Sequence, residues 1–470
     1  MKKRLVDYPD KQLFKVIPKL KLYDFVSGDK LQTLNGNGMP FMTWPDGTPC
    51  FLANAWFIRM RSESGRSGQG PSRVGSKGGS FGEYAGKISH LIRFCYYNNL
   101  NFISLSDDDF CEFIDGLRGH KKKNSKEPKR SEKTITNIGR RCLKFLHFIG
   151  EFNQVHNFVG IGGTIDIQMV ESTGYRNGVP FKRSSVHHRS FRKGGSSAKP
   201  RKPIAEATIE AMRDAIDEMP TSVFLSSRRQ LMINTFEELG ARRREIKRLT
   251  IPVIMAAAAM ETPKLVLTTL KRGGNITRAI TVSPLLIDEM LTFIRIHRRK
   301  VIKKTSPRDD HGYLFITERG GRPLKTDSFT AEFSKIRSAA GIEVQACAHL
   351  FRHAFCTNVV ASLIAETEAL SPESFQQTLM TNKMLAERAM TLTGHSTLEG
   401  LLHYVDAAYR NKSKFSKIIR NIETANKYHS YERRRKRIFE DFKSEKISRS
   451  QYIELEEGLS KAMEYELFTD

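Results

Sequence analysis

No two cysteines of this chain stand in a Cys-x-x-Cys pair; the six (Cys50, Cys95, Cys111, Cys142, Cys347 and Cys356) are scattered. That scatter argues against a zinc site and a disulfide scaffold, and leaves the thiols as small buried apolar groups. Long apolar runs are missing too. The longest, IMAAAAM at 254–260, is far too short to cross a bilayer. No apolar stretch follows the positive charges of MKKRLVDYPDKQLF, so neither a signal peptide nor a membrane partner is expected. There is no Walker-type glycine loop and no cluster of acidic metal ligands; GRSGQG at 65–70 reads as flexible linker, not as a phosphate cradle. Negative charge is the largest deficit. Only 51 Asp and Glu face 77 Lys and Arg, a net charge of +26. Such a surplus creates a field that favours polyanions, of which nucleic acid is the commonest; the alternatives are a basic protein kept soluble by its charge, or one that meets acidic membrane lipids.

What is present divides the 470 residues into five stretches. Residues 1–80 read as a region of short strands around the turns NGNG (35–38) and DG (46–47), with MPFMTW and PCFLANAWFI as strand segments, followed by a basic Gly/Ser linker. Over 81–155 the period becomes helical: Tyr84, Ile88, Leu91, Ile92 and Cys95 share one face, as do Ile135, Ile138, Cys142, Phe145, Leu146 and Ile149. Between them Ser106 is a predicted N-cap, with Asp107 to Asp109 in the first turn. Residues 156–203 read as an extended basic linker; from 181 to 203 they carry eight Lys or Arg and no acid. Helices resume over 204–412, interrupted by a hairpin, KLVLTTLK and ITRAITVS around RGGN. Residues 413–470 form a charged helical tail, in which RRRKR (433–437) reads as a DNA-contacting or solvated helix face.

Four separate segments of the second half belong together. They are Gly240-Ala-Arg242-Arg-Arg-Glu245, the hairpin ending in Lys271, His349-Leu-Phe-Arg352, and Gly394-His395 with Tyr404 nine residues later. Each alone is unremarkable: an exposed arginine, a turn lysine, a core histidine, a packing tyrosine. The ordered set resembles the tyrosine recombinase, or phage integrase, family. The resemblance is strong over about 204–410 and weaker over 82–150. Two departures stand out: a turn after Lys271 about two residues longer than the family's, and a long stretch between Arg352 and His395 that predicts an extra helix.

The resemblance implies a mainly α, multi-domain fold with a small antiparallel β-sheet. A helical core-binding domain (81–155) and a catalytic domain (204–412) would form a clamp around DNA. It further implies that Tyr404 is the nucleophile, forming a 3′-phosphotyrosyl link that needs neither metal nor ATP. Arg242 and Arg352 would grip the scissile phosphate, a task that suits a planar guanidinium which never loses its charge. Lys271 would protonate the leaving 5′-oxygen, His349 handle the tyrosine proton, His395 donate to the phosphate, and Glu245 brace Arg242. Tyr409 is the competing nucleophile. Lys121, Lys122, Lys123, Arg140, Arg141, Arg189, Arg192, Lys193 and Arg272 are the expected DNA-backbone contacts. Expected, too, are a mobile-element integrase acting as a tetramer on paired sites, accessory proteins, and a cytoplasmic, nucleoid-associated, prokaryotic setting. The alternatives are a DNA-binding regulator that keeps the fold, and an enzyme like a type IB topoisomerase or telomere resolvase.

Overall fold

The computed structural model describes residues 11–27, 30–61, 71–73, 78–122, 125–176, 179–192, 202–269, 276–305, 310–395, 397–415 and 418–468. It divides into two compact units, Met1–Gly174 with Pro180–Lys199 and Tyr175–Val179 with Pro200–Asp470. The fold is mainly helical with small two-stranded sheets.

The first unit opens with β1 (Phe14–Ile17), β2 (Lys21–Ser27), β3 (Lys30–Asn35) and β4 (Met39–Met42), paired antiparallel as β1–β4 and β2–β3. Helices α1 (Phe51–Arg61), α2 (Gly79–Tyr97), α3 (Asp107–Gly119) and α4 (Glu132–Phe152) follow. The short strands β5 (Val159–Gly160) and β6 (Ile165–Asp166) are parallel, and β7 (Gln168–Arg176) pairs with β8 (Val179–His187). The predicted face of α4 is wholly buried, and that of α2 is buried except for a half-buried Tyr84. Ser106 caps α3 in a capping box: its hydroxyl accepts from Asp109 N at 3.1 Å while the Asp109 carboxylate accepts from Ser106 N at 3.0 Å.

Three expectations change here. Residues 51–61 are a helix, not a strand, because Ala53, Trp56, Phe57 and Met60 recur at helical spacing and all face the core. That core also holds Leu13, Met39, Met42 and the apolar faces of α2 to α4, so residues 1–80 are no separate region: their described part shares the core of 81–155. Nor are the described residues of 156–203 a linker. Phe158, Ile165 and Phe191 are buried in the same core. Phe191 sits where a Cβ at Gly139 would lie, 2.4 Å from its ring edge, so only glycine admits it on α4.

The second unit starts with α5 (Glu206–Glu218), α6 (Val223–Leu239), the single turn α7 (Arg243–Ile246) and α8 (Ile251–Ala258). The expected hairpin follows as β9 (Lys264–Thr269) and β10 (Ile276–Thr281), antiparallel from Ile276↔Thr269 to Thr281↔Lys264. Then come α9 (Pro284–Thr292), a π-helical turn (Phe293–Arg298), α10 (Arg299–Thr305) and α11 (Thr326–Ala339). Next is α12 (Ala348–Glu366), then two helices in the long stretch before His395, α13 (Pro372–Thr381) and α14 (Lys383–Thr393), and α15 (Glu399–Phe415). Its core is unusual in carrying charge. Arg228 on α6 donates to Glu332 on α11 at 2.9 Å and Arg229 at 2.7 Å, all three buried.

The tail is not a free appendage. Helices α16 (Ile418–Lys443) and α17 (Arg449–Phe468) lie in this unit, with Ile438, Ile447 and Leu459 packed on Ile296. The basic run at 433–437 also departs from expectation. Arg433 donates to Glu210 at 2.8 Å and Asp214 at 3.0 Å, Arg434 to the Leu285 carbonyl at 2.9 Å, and Arg437 to the Ser227 hydroxyl at 2.9 Å. Carboxylates on α5, a carbonyl on α9 and a hydroxyl on α6 engage these three guanidiniums, while Arg435 and Lys436 are exposed as expected. Among the described residues no helix is long and apolar enough to cross a membrane.

Candidate active site

Two helices of the second unit end in left-handed glycines, and both ends face the same place. Gly240 (φ +50°) closes α6 and Gly394 (φ +64°) closes α14. Arg242 begins α7 two residues after Gly240. Its Nη2 donates to the Gly394 carbonyl at 3.2 Å, its Nη1 to Glu245 Oε1 at 3.1 Å, and its backbone N–H to Glu245 Oε2 at 2.9 Å. Arg352, in the first turns of α12, mirrors it. Nη1 donates to the Gly240 carbonyl at 2.8 Å and Nη2 to the Thr393 carbonyl at 2.5 Å. The two guanidiniums thus interlock the ends of α6 and α14. Arg242 is part-exposed while Arg352 is buried, and burial, followed by the charges of Arg242 and Arg278, lowers the Arg352 pKa.

Tyr404 stands on α15 with its ring between two imidazoles. The centroids of His395 and His353 lie 5.6 and 5.4 Å away, and His353 Nε2 is 3.1 Å from His349 Nε2. His395 Nδ1 is 2.9 Å from the Thr393 hydroxyl, which orients that ring. The phenol is only 7% exposed. Burial, with the neighbouring Cys356 thiol that shares a hydrogen bond with it, pushes its pKa up to about 12, against the lowering pull of Arg352. Tyr404 is therefore a neutral phenol at physiological pH. Tyr409 donates to the Ala369 carbonyl at 2.9 Å, an interaction that occupies its hydroxyl in α13–α15 packing.

The structure therefore brings together Arg242, Glu245, His349, Arg352, His395 and Tyr404. Lys271, Arg272, Lys123 and Lys193 lie outside the described residues. Of the other expected DNA contacts, Lys121 and Arg192 are exposed, and Lys122 is exposed but pairs with Glu127 at 2.5 Å. Arg141 stacks on Tyr84 at 3.4 Å and Arg140 donates to the Val186 carbonyl at 2.8 Å. Arg189 differs from expectation: it is paired with Asp107 and Asp108 at the N-terminus of α3, where carboxylates and helix dipole already favour each other. Asp107, Cys111 and His188 could together offer three metal-ligand atoms, within 4.8 Å of one another. Asp107 already accepts from His188 Nε2 at 2.8 Å, from Asp166 N at 3.0 Å and from Arg189, so Asp107 and His188 are engaged in hydrogen bonds to each other and to their neighbours.

Two residues at the site were missed in the sequence. His353 lies one helical turn after His349, a spacing that places both on one face. Arg278 on β10 is buried, in step with Ile280 and Val282; a charge on the inward phase of an alternating strand was the available signal.

The family model described as the phage integrase family matches residues 201–365, which hold Arg242, Lys271, His349 and Arg352 and stop short of His395 and Tyr404. That segment, 165 of the 470 residues, is similar to the phage integrase family. Solved structures with a similar fold include XerH site-specific recombinase bound to palindromic difH substrate, at 15% identity over 73% of this chain and 80% of that one, TM-score 0.46. The Tn1549 transposon integrase in complex with transposon right end DNA is 15% identical, covering 78% and 99%, TM-score 0.43. A lambda integrase tetramer bound to a Holliday junction is 10% identical, covering 74% and 76%, TM-score 0.40. The curated protein sequences give no match.

Proposed function

We propose that this protein cleaves and rejoins DNA through a 3′-phosphotyrosyl intermediate on Tyr404, as the integrase of a mobile genetic element. The observation that carries the reading is the convergence of Arg242, Arg352, His395 and Tyr404 from four helix ends and faces onto one locus. In this reading the scissile phosphate displaces the carbonyls that now accept from the two guanidiniums. Arg242 and Arg352 then stabilise the charge of the five-coordinate phosphorus. Their positive charge also favours the phenolate of Tyr404, whose burial otherwise holds it neutral. His349 accepts the tyrosine proton, with His353 at its side. His395 donates to a phosphate oxygen, Lys271 protonates the 5′-oxygen as it leaves, and Glu245 holds Arg242. The phosphodiester energy is kept in the phosphotyrosine, so rejoining needs no nucleotide.

The substrate is double-stranded DNA, contacted by Lys121, Lys122, Arg140, Arg141 and Arg192 together with Lys123, Lys193 and Arg272. Two strand exchanges require four nucleophiles, which makes a tetramer on paired sites the working form, with accessory proteins of the same element as further partners. The test is covalent trapping on nicked duplexes tiled across the ends of the element that encodes the chain. The wild type should leave a denaturant-resistant adduct that Tyr404→Phe loses while retaining DNA binding. Tight binding with no wild-type adduct would instead make the chain a regulator.

A further inference from the structure

Arg278 spends its hydrogen bonds on other parts of the site. Its Nη2 donates to Glu245 Oε2 at 3.2 Å, the same oxygen that accepts from the backbone N–H of Arg242. Its Nη1 donates to the Leu392 carbonyl at 2.6 Å, in the last turn of α14. Its guanidinium lies flat against Gly394, where an added Cβ would be 2.9 Å from Nε and 3.0 Å from Cζ. The side chain is buried, and among the described residues its Nε–H has no partner. A buried, incompletely satisfied guanidinium is a poor stabiliser of a strand, so packing alone does not account for it.

Its neighbours do. Glu245 fixes the Arg242 guanidinium from one side. One and two residues beyond Leu392, the Thr393 and Gly394 carbonyls accept from Arg352 and Arg242, and His395 follows. We infer that Arg278 is a positioning residue which sets the separation of the two phosphate-gripping guanidiniums by tying Glu245 to the end of α14. It touches neither DNA nor the nucleophile; it holds the parts that do. The inference rests on the recombinase reading. It also assigns a route. Arg278 acts through the phosphate grip, not through the general acid Lys271, which stands seven residues before it in the sequence.

Leaving-group chemistry separates the two routes. When sulfur replaces the bridging 5′-oxygen, the thiolate departs without a proton, so a defect in general-acid catalysis vanishes and a defect in the phosphate grip remains. The experiment compares wild type, Arg278→Met and Arg278→Lys on nicked duplexes with bridging oxygen or sulfur. It measures DNA affinity, single-turnover adduct formation at saturating DNA, and thermal unfolding. We expect affinity within ~3-fold of wild type, and adduct formation by Arg278→Met slowed ~100-fold on both substrates. Arg278→Lys, which keeps the charge but not the two-sided reach, should recover only part of that loss. Should Arg278→Met fold poorly, the lysine variant on the sulfur substrate decides. Recovery to the wild-type rate with sulfur would overturn the inference, as would wild-type rates for both variants with oxygen. Absence of any wild-type adduct would overturn the recombinase reading itself, and the inference with it.

Discussion

The cores of the two units are built from different materials. In the first, Phe57, Phe81, Phe110, Phe113 and Phe145 interlock with aliphatic side chains, and among the described residues the buried side chains of charged or imidazole type are Arg93 and His188. In the second, the interior holds Arg228, Arg229, Arg278, Arg298 and Arg352 with Glu245 and Glu332. Even these divide. Arg228 and Arg229 face Glu332, and Arg298 faces Asp310, which it holds at a pKa of about 2. Arg352 bonds two backbone carbonyls, and among the described residues no carboxylate forms a salt bridge with it. A carboxylate-paired arginine is neutralised within the fold. Arg352, held by carbonyls, keeps its charge for a visitor.

That contrast can be broken experimentally. The largest effect is expected on Arg352→Met: adduct formation should fall ~1000-fold or more, while the urea midpoint of the second unit moves little, because the methionine fills the site without stranding a charge. Glu332→Gln should do the reverse. It strands two buried guanidiniums and should cost ~3–5 kcal/mol of stability by urea denaturation, with any surviving folded fraction still active. A destabilised Arg352→Met beside an unaffected Glu332→Gln would dissolve the distinction. The smallest effect concerns pH. Burial, then the charges of Arg437 and Lys300, push His297 down from 6.5 to about 3. Between those values the unfolded chain binds a proton that the folded chain refuses. Stability from the neutral ring is therefore complete above pH 6.5 and declines as pH falls, by up to ~1.4 kcal/mol per pH unit. His297→Gln should flatten the slope of unfolding free energy between pH 7 and 5. An unchanged slope would mean that the ring titrates in the folded protein.

Most of the second unit was legible because its signals are local. A hairpin shows as alternation around RGGN, and Gly-x-Arg, His-x-x-Arg and Gly-His mark helix ends and first turns by short spacing. The joins were not legible. Helix α1 looked like a strand because Trp56, Phe57 and Ile58 have high β propensity, and only packing on α2–α4 favours the helical period. The stretch to residue 192 looked like a linker because its charges stand out and its anchors, Phe158 and Phe191, are isolated. Arg433, Arg434 and Arg437 read as free because their partners lie more than 140 residues away. Arg278 was hidden for a similar reason: its value lies in Glu245 and Leu392, which no spacing rule links to it.

The carbonyls that receive Arg242 and Arg352 belong to Gly240, Thr393 and Gly394. They are backbone atoms. No side-chain replacement can delete them, whereas a one-residue insertion or deletion beside either glycine would rotate them out of reach. These acceptors are thus insensitive to most neighbouring side-chain replacements, Gly240 and Gly394 excepted because both have positive φ and a Cβ would clash there, and they are exposed to changes of length. A distant relative that differs at most surrounding positions keeps this geometry, provided that the count of residues from each helix end to its arginine or histidine stays fixed.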